Sequence, residues 1–201
     1  MDAFNYISNN CIAAYIYTFK GVRFNNPFMW SVINLDDMIR LINQFNLLNF
    51  GNIKLDWCKS HNTAWNNTPL LIIDGQVNVN YIHTKIGHGT PYKINGNLFV
   101  ENPLIECHST YLKRLRRMLD VHIRPTFIIN QSNCEAYDAI GIRNLYESIQ
   151  HTQYETHIIC PETTLGEGIY NNIYVHNGCY CCEPGIDKRN LSHRIMDMCH
   201  L

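Results

Sequence analysis

Between Pro125 and Cys160 the sequence passes from a compact β-prone stretch, Pro125 to Asn130, through a helix-forming stretch to a second β-prone stretch, Thr156 to Cys160, stopped by Pro161. The middle stretch bears Ile142, Leu145, Tyr146 and Ile149 and has Asp138 as its cap. A two-residue turn can join antiparallel strands, whereas parallel neighbours need a crossover of a dozen or more residues, usually a helix. This spacing therefore predicts a βαβ unit and a parallel sheet covered by helices. Phe4 to Ser8 repeats the strand-to-helix half of the pattern, feeding the nearly all-apolar segment Cys11 to Phe19 across an Asn9-Asn10 N-cap. Asn172 to His176 adds a last strand, and the tail from Asn190 a short helix.

Elsewhere the patterning is local. Asn34 precedes Asp36 and Asp37, and Leu35, Met38, Ile39, Ile42 and Phe45 keep one helix face. Leu70 to Ile73, then Asp74-Gly75, then Val77, Val79 and Tyr81 alternating with Asn78 and Asn80, predicts a hairpin, because Asp-Gly suits the positive φ of a type I′ turn. His83 falls on the parity of the apolar face. Residues 23–30 and 87–102 read as loops. Pro103 then opens a basic helix with an apolar stripe of Ile105, Leu112, Leu115 and Leu119, bracketed by Lys113, Arg114, Arg116 and Arg117. The expected fold is a single three-layer α/β domain over residues 1–201. Its central sheet is mainly parallel and edged by the Asp74-Gly75 hairpin, and a flexible Cys/His-rich tail occupies 177–201.

Charge removes several function classes. With 16 Lys and Arg against 17 Asp and Glu, the chain has no field for nucleic acid or an anionic membrane. Its longest apolar runs fall far short of the roughly 20 residues that a bilayer requires. No basic leader precedes the first apolar stretch, and nine cysteines form an odd set, so the thiols are expected to be reduced and the setting cytoplasmic. The Asn and Ile bias matches an AT-rich microbial or viral genome.

The sharpest chemical feature is Ser8-Asn9-Asn10-Cys11. A thiol in the first helical turn meets unpaired backbone N–H groups and the positive dipole end, which favour the thiolate. The same residue can also serve as a small apolar filler of a strand-to-helix junction. His83 at one strand end and Asn130 at another complete a Cys, His, Asn order that permits a nucleophile, a base and an orienting group. His88 and His108 compete for the base and Asp74 for the orienter, while His83 can equally be a core histidine and Asn130 a turn cap. His176, Cys179, Cys181 and Cys182, with His193, Cys199 and His200, look metal-like, but adjacent Cys181-Cys182 cannot easily aim both thiolates at one ion. They read as incidental thiols, and neither a metal nor a cofactor is expected. Lys113, Arg114 and Arg117 form one patch able to hold an anion, or else the arginines hold the 87–102 loop. No phosphate-binding loop, dinucleotide fingerprint, zincin or serine-hydrolase motif is present.

At Ile7-Ser8-Asn9-Asn10-Cys11, Pro27-Phe28-Met29-Trp30, the Tyr81-Ile82-His83 strand end and the Lys113 to Arg117 helix, the chain resembles a family of unknown function described as papain-like cysteine peptidases. The Ile-Ser-Asn-Asn-Cys opening and the Asp74 to His83 strand also resemble a related group labelled exopolysaccharide-biosynthesis proteins. The resemblance spans residues 4 to 160. It implies Cys11 as nucleophile and His83 as base, with a papain-like α+β fold as the alternative architecture. The family's Pro-Phe-Asp-Trp block has Met29 in place of Asp, which implies an altered or inactive member if that Asp takes part.

These readings converge on a Cys/His-dependent hydrolase or acyl transferase acting on an amide, ester or thioester of a small-molecule, glycan or peptide substrate. Cys11, His83 and Asn130 carry the chemistry, and Asn9, Asn10, Trp30, Arg114 and Arg117 bind the substrate. One alternative is a sugar-transfer or glycan-assembly protein that binds a nucleotide-sugar. Another is a non-catalytic scaffold with a degenerate site.

Overall fold

The computed structural model describes residues 4–59, 68–81, 92–94, 97–99, 103–121, 123–130, 139–149, 151–160, 173–175 and 196–197. Among them the chain is a mixed α/β protein that divides into two compact units, Met1–Phe24 with Ile123–Leu201, and Asn25–His122.

The first unit holds β1 (Tyr6–Ser8), α1 (Ile12–Phe19), β8 (Thr126–Asn130), α4 (Ala139–Ile149), β9 (Thr156–Cys160) and β10 (Ile173–Val175). Its strands form one sheet in the order β1-β8-β9-β10, and every pairing is parallel. The βαβ unit and the last strand are therefore as the spacing predicts. A parallel strand covered on both faces needs an unbroken apolar run, and Phe127, Ile128, Ile129, Ile158 and Ile159 are all buried. The first helix buries Ile12, Ala13, Ala14, Ile16 and Tyr17 and packs on β1 and β8.

The second unit holds β2 (Ser31–Val32), α2 (Leu35–Gln44), β3 (Ile53–Trp57), β4 (Pro69–Ile73), β5 (Val77–Tyr81), β6 (Tyr92–Ile94), β7 (Asn97–Phe99) and α3 (Pro103–Val121). Four of these strands make an antiparallel sheet in the order β2-β5-β4-β3. Asp74 and Gly75 both adopt positive φ, at 51° and 68°, and the Gln76 N–H donates to the Ile73 carbonyl at 2.9 Å, as a type I′ turn requires. Val77, Val79 and Tyr81 are buried, while Asn78 and Asn80 between them are half-buried.

Four expectations are corrected. The Asp74-Gly75 hairpin does not edge the parallel sheet: β5 pairs with β4 and β2 in the antiparallel one. The 87–102 stretch is not all loop, because β6 and β7 pair antiparallel within it. On α3 the buried face is Cys107, Tyr111, Leu115 and Met118, whereas Ile105 and Leu119 are 67% and 55% exposed. Counting aliphatic residues alone selected the wrong stripe, since Cys107 and Tyr111 bury as well as leucine does. The N-cap of α1 is Cys11 rather than an Asn. Strand β3, Ile53-Lys54-Leu55-Asp56-Trp57, alternates apolar and polar residues as a half-buried strand does, and a five-residue pattern is short enough to pass unmarked in the sequence. Asp138 and the Cys/His-rich stretch 177–201, apart from residues 196–197, lie outside the described residues.

Candidate functional site

The turn that joins β1 to α1 is built by three consecutive polar side chains. Ser8 Oγ, fully buried, accepts from the Ala13 N–H at 3.0 Å and donates to the Asn10 carbonyl. Asn10 Oδ1 accepts from the Ile12 N–H at 3.1 Å. Between them Ser8 and Asn10 satisfy first-turn donors that a helix leaves open. Cys11, at the N-cap position, therefore makes no side-chain cap bond. It is 8% exposed and is not in a disulfide.

Asn9 reaches across to the neighbouring strand. Its Oδ1 accepts from the Asn130 N–H at 2.9 Å, and its Nδ2 donates to the Asn130 carbonyl at 3.2 Å. The side-chain amide thus imitates a peptide group and extends the β1–β8 ladder beyond its last backbone pair. The site residues Asn9, Asn10, Cys11 and Asn130 come together at the carboxyl ends of β1 and β8, the edge of an open parallel sheet where ligands commonly bind. Asn130 meets Asn9 through its backbone, so the structure gives it an anchoring part at this edge.

One neighbour was missed. Ser8 pairs in register with Ile128, and Ile128 with His157, so Ser8, Ile128 and His157 share one face of the sheet. His157 is 2% exposed, its Nε2 lies 3.4 Å from Glu155 Oε1, and Thr126 Oγ1 donates to Glu155 Oε2 at 3.2 Å. The only sequence signal was a histidine interrupting the apolar run Thr156 to Cys160.

In the second unit Arg114 reaches the turn that carries Trp30, and Arg117 stands three residues further along α3. Every carbonyl from Pro27 to Met29 is taken by a side chain: Pro27 by the Tyr81 hydroxyl, Phe28 by Ser31 Oγ at 2.6 Å, and Met29 by Arg114 Nη1 at 2.8 Å. Asn26 Oδ1 accepts from the Phe28 N–H at 3.1 Å. Phe28 and Met29 point into the core, and Trp30, half-buried, is left at φ 61°. A bulky residue rarely enters the left-handed region, and holding it there costs about 1–3 kcal/mol. Burial lowers the Arg114 pKa, Tyr81 opposes that change, and the like charge of Arg117 adds to it. The hydrogen bond to the Met29 carbonyl holds the guanidinium at the 26–31 turn.

The remaining candidates separate. His83 and His88 lie outside the described residues, and His108 is exposed on α3. Asp74 accepts from the Asn49 N–H at 3.2 Å and from Asn52 Nδ2 at 2.8 Å, tying the hairpin turn to the segment that precedes β3. Among the described residues no cluster of three or more His, Cys, Asp or Glu side chains is disposed to hold a metal ion. No helix among them is long and apolar enough to cross a membrane.

A family model described as "Domain of unknown function (DUF1919)" matches residues 1–92. The matched stretch contains Asn9, Asn10, Cys11, Trp30 and His83, and stops before Arg114, Arg117 and Asn130. A search of curated proteins finds no match.

Proposed function

We propose that the chain is a cysteine-dependent hydrolase or acyl transferase with Cys11 as its nucleophile. The observation that carries this reading is the N-cap position of Cys11 at the carboxyl end of a parallel strand, with neighbouring side chains, not its own thiol, doing the capping. The Cys11 thiolate attacks the carbonyl carbon of an amide, ester or thioester, the carbonyl π pair moves to oxygen, and the amine, alcohol or thiol leaves with a proton from the base. Water or an acceptor nucleophile then releases the acyl group. The positive dipole end of α1 stabilises the oxyanion, the Ile12 and Ala13 N–H groups being already taken by Asn10 and Ser8. Within the first unit the candidate base is His157, buried on the sheet face that Ser8 shares, while the papain-like resemblance implies His83 for that part. The proposed setting is cytoplasmic, with a small-molecule, glycan or peptide substrate.

The test is competitive alkylation at pH 6 to 7, with mass spectrometry resolving each of the nine cysteines. Cys11 is expected to react at least tenfold faster than any other cysteine, and His83→Gln or His157→Gln to slow it, whichever imidazole serves. Labelling of Cys11 no faster than the rest removes the mechanism. A second reading, sugar transfer from a nucleotide-sugar, draws on the wholly parallel sheet of the first unit. It predicts that nucleotide-sugars at a hundredfold excess over Kd stabilise the fold by about 2.7 kcal/mol, read as a rise in melting temperature, where the hydrolase predicts none.

A further inference from the structure

The antiparallel sheet of the second unit ends on β3, which pairs with β4 on one side, and among the described residues no strand pairs with its other side. The Asp74 N–H donates to the Asn52 carbonyl at 2.7 Å and the Cys58 N–H to the Thr68 carbonyl at 2.9 Å. Both bonds continue the β3–β4 register by one residue at each end, so the even-numbered positions of β3 turn their backbone toward β4. Ile53, Leu55 and Trp57 therefore turn their N–H and carbonyl groups outward, along the edge of the sheet. The Trp57 N–H meets its neighbour Asp56 Oδ1 at 2.8 Å. A row of backbone groups at a sheet edge is a template for a further strand.

The side chains decide which strand fits. Ile53 and Leu55 lie opposite Ile73 and Leu71, which are fully buried, so the apolar face of the sheet runs out to the edge. It ends there on half-buried Ile53 and Leu55 and on Trp57, which is 36% exposed. On the opposite face stand Lys54 and Asp56, their side chains 72% and 46% exposed, with Lys54 Nζ 3.8 Å from Asp56 Oδ2. A lone lysine guards an edge, because a second copy brings its own lysine against it. A lysine and an aspartate two positions apart do the reverse in one arrangement. When two β3 strands run antiparallel about a two-fold axis at Leu55, Lys54 of each copy faces Asp56 of the other, Leu55 faces Leu55, and Ile53 faces Trp57. The same register sets outward backbone against outward backbone. Moving the axis to Lys54 or Asp56 sets like charge against like, which destabilises a cross-strand pair.

We propose that β3 is a dimerisation strand: two copies of this chain join edge to edge through antiparallel β3 pairing centred on Leu55, and their four-stranded antiparallel sheets become one. The occupant of the edge is a second copy because the charge pattern of β3 is complementary to itself in this register. On pairing, the Trp57 N–H exchanges Asp56 Oδ1 for the Ile53 carbonyl of the other copy, and the Asp56 carboxylate turns to the other copy's Lys54. The proposal is independent of the Cys11 chemistry, because it rests on the second unit alone.

The test is sedimentation velocity of the full-length protein over a concentration series. The wild-type chain is expected to pass from monomer to dimer. Lys54→Asp or Asp56→Lys alone sets like charges against each other across the axis and is expected to weaken dimerisation about tenfold or more. Mixing the two variants restores opposite charges across the interface but not within either strand, so a mixed dimer is expected at close to the wild-type affinity. In amide exchange resolved by residue, the Ile53 and Leu55 amides are expected to slow as concentration rises, while those of Lys54 and Asp56, turned toward β4, stay unchanged. A wild-type chain that stays monomeric throughout overturns the proposal and leaves the edge to a strand of different sequence. A dimer that neither reversal weakens also overturns it, placing the contact on another surface. So does a mixture that fails to restore the dimer, which would assign the loss to the fold of the single chain.

Discussion

Asp37 shows how far a single residue's part can depart from its place in the sequence. Its position in the first turn of α2 suits an acid beside the helix dipole, yet it is 2% exposed and serves as the hub of a network. Its backbone N–H donates to Asn34 Oδ1 at 2.8 Å, and its carboxylate accepts from Asn34 at 2.7 Å, Arg40 at 2.8 Å and Asn78 at 3.1 Å. Arg40 also donates to the Gln76 carbonyl at 2.6 Å, tying α2 to the hairpin. Removing the carboxylate leaves buried donors unpaired, so Asp37→Ala is expected to cost about 2–4 kcal/mol in urea denaturation. Arg40→Ala, whose side chain is partly exposed, is expected to cost less. The helix was legible from spacing, but the hub was not, because Asn78 comes from a strand 41 residues away.

At the scale of elements, α1 depends on what precedes it. The helix has no acid in its first turn, and its own N-cap side chain makes no cap bond. Ser8→Ala removes the acceptor for the Ala13 N–H from inside the fold, and is expected to lower stability by about 1–2 kcal/mol in chemical denaturation. Gly75 is a second element-scale test. Its φ of 68° strains any L residue even though open space surrounds it, so Gly75→Ala is expected to cost about 1 kcal/mol and Gly75→Asn less. The hairpin was legible because its turn chemistry is local. The buried face of α3 was not, because a helix with apolar residues on several sides leaves the choice of face to the partner it meets.

For the whole molecule, buried tyrosines set the response to alkali. Burial holds the Tyr81 hydroxyl well above its ordinary value of 10.0, and Cys107 adds to this while Arg114 opposes it. Tyr111, whose hydroxyl donates to the Phe50 carbonyl at 2.8 Å, is raised by burial too. Below about pH 10 neither state ionises and the two groups leave stability unchanged. Above it the unfolded chain gives up protons that the folded chain keeps, so the unfolded state binds fewer protons and stability falls as pH rises. The melting temperature is expected to decline from pH 9.5 to 11, and the decline to be shallower in Tyr111→Phe.

Whatever is set by neighbours in the chain could be read in advance: the βαβ spacing of residues 125–160, the amphipathic helix from Leu35, the Asp74-Gly75 turn, and Cys11 at the start of a helix. Each follows from backbone conformation over a few residues, where local sterics and capping decide the outcome. What only the tertiary structure decided involves partners far apart in sequence. Asn9 finds the Asn130 backbone across 121 residues, and Arg114 finds the Met29 carbonyl across 85. The two sheets separate into different units although a single patterned sequence runs through both. Polar side chains such as these have many possible partners in an unfolded chain. The choice among them is made when strand register and helix packing bring one donor to one acceptor and exclude the water that would otherwise satisfy both.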